Sequence, residues 1–168
     1  MLETMLSITP HYPNYQFIIA GAPSQDEAYY QQFLKKNQVF LISNKTYNLL
    51  SVASAALVTS GTATLETALF NVPEVVCYKG SSISYQIAKR IINLDYISLV
   101  NLIMDKEVVK ELIQGEFNSR NLKNELDLIL KNPKRENILK DYKELKNKLG
   151  GIGASEKTAS LIYEKLQP

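Results

Sequence analysis

Four short apolar runs, each followed by a helix-like segment, set narrow limits on what this 168-residue chain can fold into. They are "YQFIIAG" (15–21), "QVFLIS" (38–43), "AALVTS" (55–60) and "EVVCY" (74–78). Each has the length of a strand. Each is continuous rather than alternating, so both faces of the resulting sheet should be covered. "SQDEAYYQQFLKK" (24–36) reads as a helix with Ser24 as N-cap and Asp26 and Glu27 in its first turn. "NKTYNLLSVA" (44–53) reads as a short helix capped by Asn44, and "TATLETALFN" (62–71) as a helix that stops before Pro73. Strands alternating with helices in this way mean parallel βαβ units. Another helix is expected over "SYQIAKRIIN" (84–93) and a short extended run over "DYISLV" (95–100). Beyond that only helices are expected, over 105–113, 119–131, 135–149 and 153–166, with "GGIG" breaking the last two. The fold class is therefore α/β over 1–104, with a helical segment over 105–168 packing on the same domain.

Composition narrows the function classes. The length suits one domain with a single core. A net charge of only +2 provides no global field for nucleic acid, and no nucleic-acid partner is expected. The single cysteine, Cys77, lies in an apolar run, which excludes a disulfide scaffold or a cysteine-rich metal site and fits a reducing compartment. The single histidine, His11, sits in the turn "TPHYPN" and reads as a solvated loop residue. No apolar run approaches the ~18 residues of a membrane span. "MLETML" lacks the layout of a signal peptide and looks like the end of an amphipathic helix, which points to the C-terminal part of a longer chain.

The chemistry concentrates in "LVTSGTATLETALFNVPEVVCYKG" (57–80). Ligands of open parallel sheets bind at the carboxyl ends of the strands, and Ser60-Gly61-Thr62 is such an end leading into a helix N-terminus. Free backbone N–H groups and the helix dipole favour an anion there, and Gly61 lets it approach the backbone. Ser60, Thr62 and Thr64 add hydroxyl donors. A plain helix cap explains the same residues, and local sequence leaves both open; the P-loop lysine and the GxGxxG pattern are both missing. Glu66, one turn on from Thr62, either complements the helix dipole or accepts hydrogen bonds from a sugar diol. Asn101 ends the 95–100 run and is either a turn former or an amide donor to a phosphate. Glu111 and Gln114 share one face of the expected 105–113 helix and its end. Residues 131–148 hold seven Lys/Arg and three Asp/Glu, a helix suited to solvent or to anionic headgroups.

"SGTATLE", then "P" and "VVCYK", "IAKR", "DYISLVN" and "KELIQ", in this order and at these separations, resemble the C-terminal domain of the lipid-A-disaccharide synthases; "YQFIIAGAPS" upstream fits as well. The resemblance covers nearly the whole chain and implies the Rossmann-like C-terminal half of a GT-B glycosyltransferase. Such enzymes join UDP-2,3-diacylglucosamine to 2,3-diacylglucosamine 1-phosphate, with inversion, in lipopolysaccharide biosynthesis. The resemblance implies a cytoplasmic protein peripheral on the inner membrane, with UDP-diacylglucosamine as donor and no cofactor or metal. It makes Ser60, Gly61, Thr62 and Ala63 the diphosphate-side turn, Glu66 the ribose ligand and Asn101 a further diphosphate contact. Gln114 is carried over without a stated role. Another GT-B UDP-sugar transferase and a non-catalytic nucleotide-binding module remain as alternatives.

The chain departs from the family pattern in two ways. Val100 stands where members commonly have proline before the asparagine. The N-terminal domain, with the acceptor site and the expected catalytic base, is not represented, and neither is the first strand of the C-terminal domain. In a 3-2-1-4-5-6 sheet that strand is central, so "YQFIIAG" and "AALVTS" would flank an empty slot. The expectation is an unstable chain or direct pairing of these two strands.

Overall fold

The computed structural model describes residues 1–37, 39–59, 61–81, 95–131, 133–151 and 153–166. After α1 (Leu2–Leu6), strand β1 (Ile18–Gly21) leads through α2 (Glu27–Asn37) to β2 (Phe40–Ser43). The two strands pair in parallel, with Ile18 opposite Phe40 and Gly21 opposite Ser43. Helix α3 (Thr46–Leu50) leads to β3 (Ala56–Thr59), and α4 (Thr62–Leu69) crosses over to β4 (Glu74–Tyr78). Strands β3, β4 and β5 (Lys110–Ile113) form a second parallel sheet in that order. Thr59 stands opposite Cys77, and Tyr78 opposite Ile113.

β4 occupies the middle of the core. Val75, Val76 and Cys77 are each fully buried. Successive strand residues point to opposite faces, so both sides of β4 are covered, as its unbroken apolar run requires. Helix α6 (Ser119–Leu130) buries Leu122, Leu126 and Ile129, and α7 (Lys134–Lys148) buries Ile138, Tyr142 and Leu145. The spacing in each is four then three residues, one stripe of a 3.6-residue helix. Each fully buried aliphatic side chain contributes about 1.5–3 kcal/mol. Cutting Ile129 back to alanine should therefore cost about 2–5 kcal/mol.

The structure corrects the reading of 95–113. Ser98 is an N-cap, and Leu99–Met104 is a helix, here α5, where an extended run was expected. The expected helix over 105–113 is instead a loop and the strand β5, which completes the β3–β4 sheet. Glu111 and Gln114 consequently do not share a helix face: Glu111 lies within β5 and Gln114 just past its end. Three smaller corrections concern helix starts and strand pairing. α2 begins at Glu27, three residues after Ser24. Lys45 rather than Asn44 precedes α3, and Asn44 takes a left-handed φ of 57°. β1 and β3 do not pair with each other, so each leaves one edge without a strand partner among the described residues. The helix expected over 84–93 lies outside the described residues.

The basic segment is less free than its composition suggests. Arg135 donates to the Ser54 carbonyl at 2.6 Å and Lys146 to Asn71 Oδ1 at 2.8 Å. Lys106, from outside the segment, pairs with its Asp141 at 2.8 Å. Much of α7 thus ties the domain together. The last helix, α8 (Ala154–Leu166), buries none of its described residues. No helix among the described residues is long and apolar enough to cross a membrane.

Candidate functional site

β3, β4 and β5 lie side by side, and past their carboxyl ends the chain continues into Gly61, Lys79–Gly80 and Gln114 respectively. Gly61 is the N-cap of α4, with φ 113° and ψ −162°. A side chain rarely tolerates this backbone, so glycine is needed to turn sharply from strand to helix. Among the described residues no side chain caps α4, and Gly61, Thr62 and Ala63 are exposed. The first turn of a helix has no intrahelical acceptor for these groups. Thr64 turns inward, donating its hydroxyl to the Gly61 carbonyl at 2.8 Å, so it is not the free donor expected from its position. Ser60 lies outside the described residues.

Glu66 sits one turn into α4, half-buried, and its carboxylate makes no hydrogen bond or ion pair among the described residues. Its spacing from Thr62 puts both on one face of the helix, as expected. A half-buried carboxylate without a partner beside an open helix N-terminus suits acceptance from two adjacent hydroxyls.

Asn101 is a different case. It is fully buried and spends its whole side chain on the fold. Nδ2 donates to the Val109 carbonyl at 2.8 Å and to Glu111 at 2.9 Å; Oδ1 accepts from Val108 and Val109 N–H. Both amide protons are thus engaged within the fold, so Asn101 as placed here holds α5 to β5. Glu111, expected on a helix face with Gln114, lies on β5 instead. It is 7% exposed and also accepts from the backbone N–H groups of Ile97 and Ser98, each at 2.9 Å. The N-terminus of α5 is therefore closed by the chain itself, Ser98 Oγ accepting from Asn101 N–H while Glu111 holds the two N–H groups just before the helix, whereas α4 has no side-chain cap among the described residues. A buried acid on a strand has no local sequence signal; its partners are 10 to 14 residues away.

Gln114 has a left-handed φ of 53°, and its Nε2 is buried without a hydrogen-bond partner. An unpaired buried donor costs about 1–3 kcal/mol. A cavity of about 410 Å³ lies along α6 and the start of α7, lined by Asn124, Asp127, Leu128, Lys131, Pro133 and Lys134. It includes none of the strand-end residues.

Parallel strands joined by helices, with ligand-facing groups gathered at the carboxyl ends of the strands, define a Rossmann-like α/β domain. The chain belongs to the lipid-A-disaccharide synthetase family, whose model matches residues 1–164. It is 39% identical over 163 residues to a lipid-A-disaccharide synthase of Syntrophus aciditrophicus, covering 95% of this chain and 43% of that protein. It is 33% identical over 169 residues to the synthase of Geobacter sulfurreducens, covering 99% and 44%. The synthase of Synechocystis is 30% identical over 158 residues, covering 90% and 40%. The chain thus spans less than half the length of these curated relatives.

Proposed function

We propose that this chain is the donor-binding half of a lipid-A-disaccharide synthase, an inverting UDP-sugar glycosyltransferase. The observation that carries the reading is the uncapped N-terminus of α4 at the end of β3, with the unpartnered Glu66 one turn along, in a chain of this family. Gly61, Thr62 and Ala63 offer backbone N–H groups to the diphosphate of UDP-2,3-diacylglucosamine. Ser60 belongs to the same turn by sequence. Glu66 accepts from the ribose hydroxyls. Asn101 and Glu111 act from behind, holding α5 to β5.

In the reaction, the 6-hydroxyl of diacylglucosamine 1-phosphate attacks the anomeric carbon of the donor. The bond from that carbon to the diphosphate breaks, its electron pair leaves with UDP, and the hydroxyl proton passes to a base. Negative charge therefore grows on the diphosphate in the transition state. Fixed N–H donors stabilise that charge more than they stabilise the ground state, which is what accelerates the step. This reading invokes no metal. The base and the acceptor site belong to a segment outside this chain, and the acylated substrates place the enzyme on the cytoplasmic surface of the inner membrane.

Joining this chain behind the N-terminal half of the Syntrophus relative tests the proposal. UDP release from the acylated donor and acceptor is expected. Transfer only to a water-soluble acceptor, or no release, contradicts it.

A further inference from the structure

The register of the β3–β4 pair singles out a residue with no assigned role. Thr59, the last residue of β3, is paired with Cys77, so Gly61 and Lys79 each stand two residues beyond one paired position, past the ends of neighbouring strands about 4.8 Å apart. Lys79 is exposed. It makes no ion pair or hydrogen bond among the described residues, whereas Lys106, Lys110 and Lys123 each hold a carboxylate. At Gly80, the next residue, a Cβ would come within 3.0 Å of the Tyr78 hydroxyl. The Tyr78 side chain thus lies close to the backbone of Gly80, beside Lys79.

We propose that Lys79 is a further donor-binding residue, its ammonium meeting the diphosphate of the nucleotide from the β4 side while α4 meets it from the β3 side. The inference rests on the reading of the α4 N-terminus as the diphosphate end. A lysine suits the task as a mobile point charge on a flexible stem. It holds the charge that the departing diphosphate gains and needs no proton transfer. Among the described residues no carboxylate pairs with Lys79, so its charge is available to the ligand without breaking such a pair.

The test compares UDP with uridine on wild type, Lys79→Gln, Lys79→Arg and Glu66→Ala, by calorimetry for UDP and ligand-observed NMR for uridine. Lys79→Gln should weaken UDP about tenfold or more and leave uridine unchanged, since a charged hydrogen bond is lost from the diphosphate alone. Lys79→Arg should restore UDP binding. Glu66→Ala should weaken both ligands. UDP affinity unchanged in Lys79→Gln, or an equal loss for uridine, overturns the role of Lys79 while leaving the site itself standing. Wild type that binds neither ligand overturns the underlying reading and this inference with it.

Discussion

The amide of Asn101 donates to the Glu111 carboxylate at 2.9 Å, and its carbonyl oxygen accepts from Val108 and Val109 N–H at 2.8 and 3.0 Å. With Ser98 and Ile97 on the far side of Glu111, one buried network fastens the start of α5 to β5. Every hydrogen-bonding position of the asparagine is filled, so its identity is fixed by donors and acceptors together.

Asn101→Asp keeps the acceptor oxygens but sets a second carboxylate against Glu111. Two buried carboxylates cannot both ionise cheaply, so the pair retains a proton in the folded state above the ordinary carboxylate range. Stability is then present below that range and is lost as pH rises. Urea denaturation should show little loss at pH 4 and a loss of about 2–5 kcal/mol at pH 8. A loss that does not change with pH contradicts the network.

Gly61→Ala separates backbone strain from crowding. A Cβ at Gly61 would meet nothing within 4 Å, yet φ is +113°. The cost should be about 1–3 kcal/mol, arising from the backbone alone. Denaturant midpoints equal to wild type would mean that the turn is not held in this conformation.

Glu74 begins β4 fully buried beside the equally buried Tyr142. Neither its carboxyl oxygens nor the Tyr142 hydroxyl completes a well-formed hydrogen bond. Burial raises the Glu74 pKa well above its ordinary 4.5, and the nearby phenol offsets only part of this. The folded chain keeps a proton that the unfolded chain releases, so stability falls as pH climbs from about 4.5 towards the folded value, by about 1.4 kcal/mol per unit. Glu74→Gln has no such proton to keep. Its melting temperature relative to wild type should be higher at pH 8 than at pH 5; a constant difference contradicts a protonated Glu74.

The alternation of apolar runs and helices was enough to expect parallel βαβ units, and "EVVCY" matches β4 residue for residue. What local pattern missed lies in 95–113. "DYISLV" looks extended, yet Ser98 caps a helix through its own Oγ, and Glu111, distant in sequence, fixes the Ile97 and Ser98 N–H groups that lead into it. "KELI" carries a lysine and a glutamate that argue against a buried strand until their partners are known; Glu111 is satisfied by the backbone around Ser98. The site shows the same division. The glycine turn and the spacing of Glu66 are local, so they were legible. The closed α5 N-terminus and the pairing that sets the ends of β3 and β4 side by side are tertiary, and no single stretch encodes them.

The central claim is that α4 and Glu66 bind the diphosphate and ribose of a UDP-sugar. Calorimetric titration of UDP into wild type and Glu66→Ala tests it most directly, with circular dichroism confirming that the variant keeps its fold. The account predicts UDP binding by wild type and at least about a tenfold loss in Glu66→Ala, equivalent to one charge-assisted hydrogen bond. Equal affinities in the two proteins would contradict it.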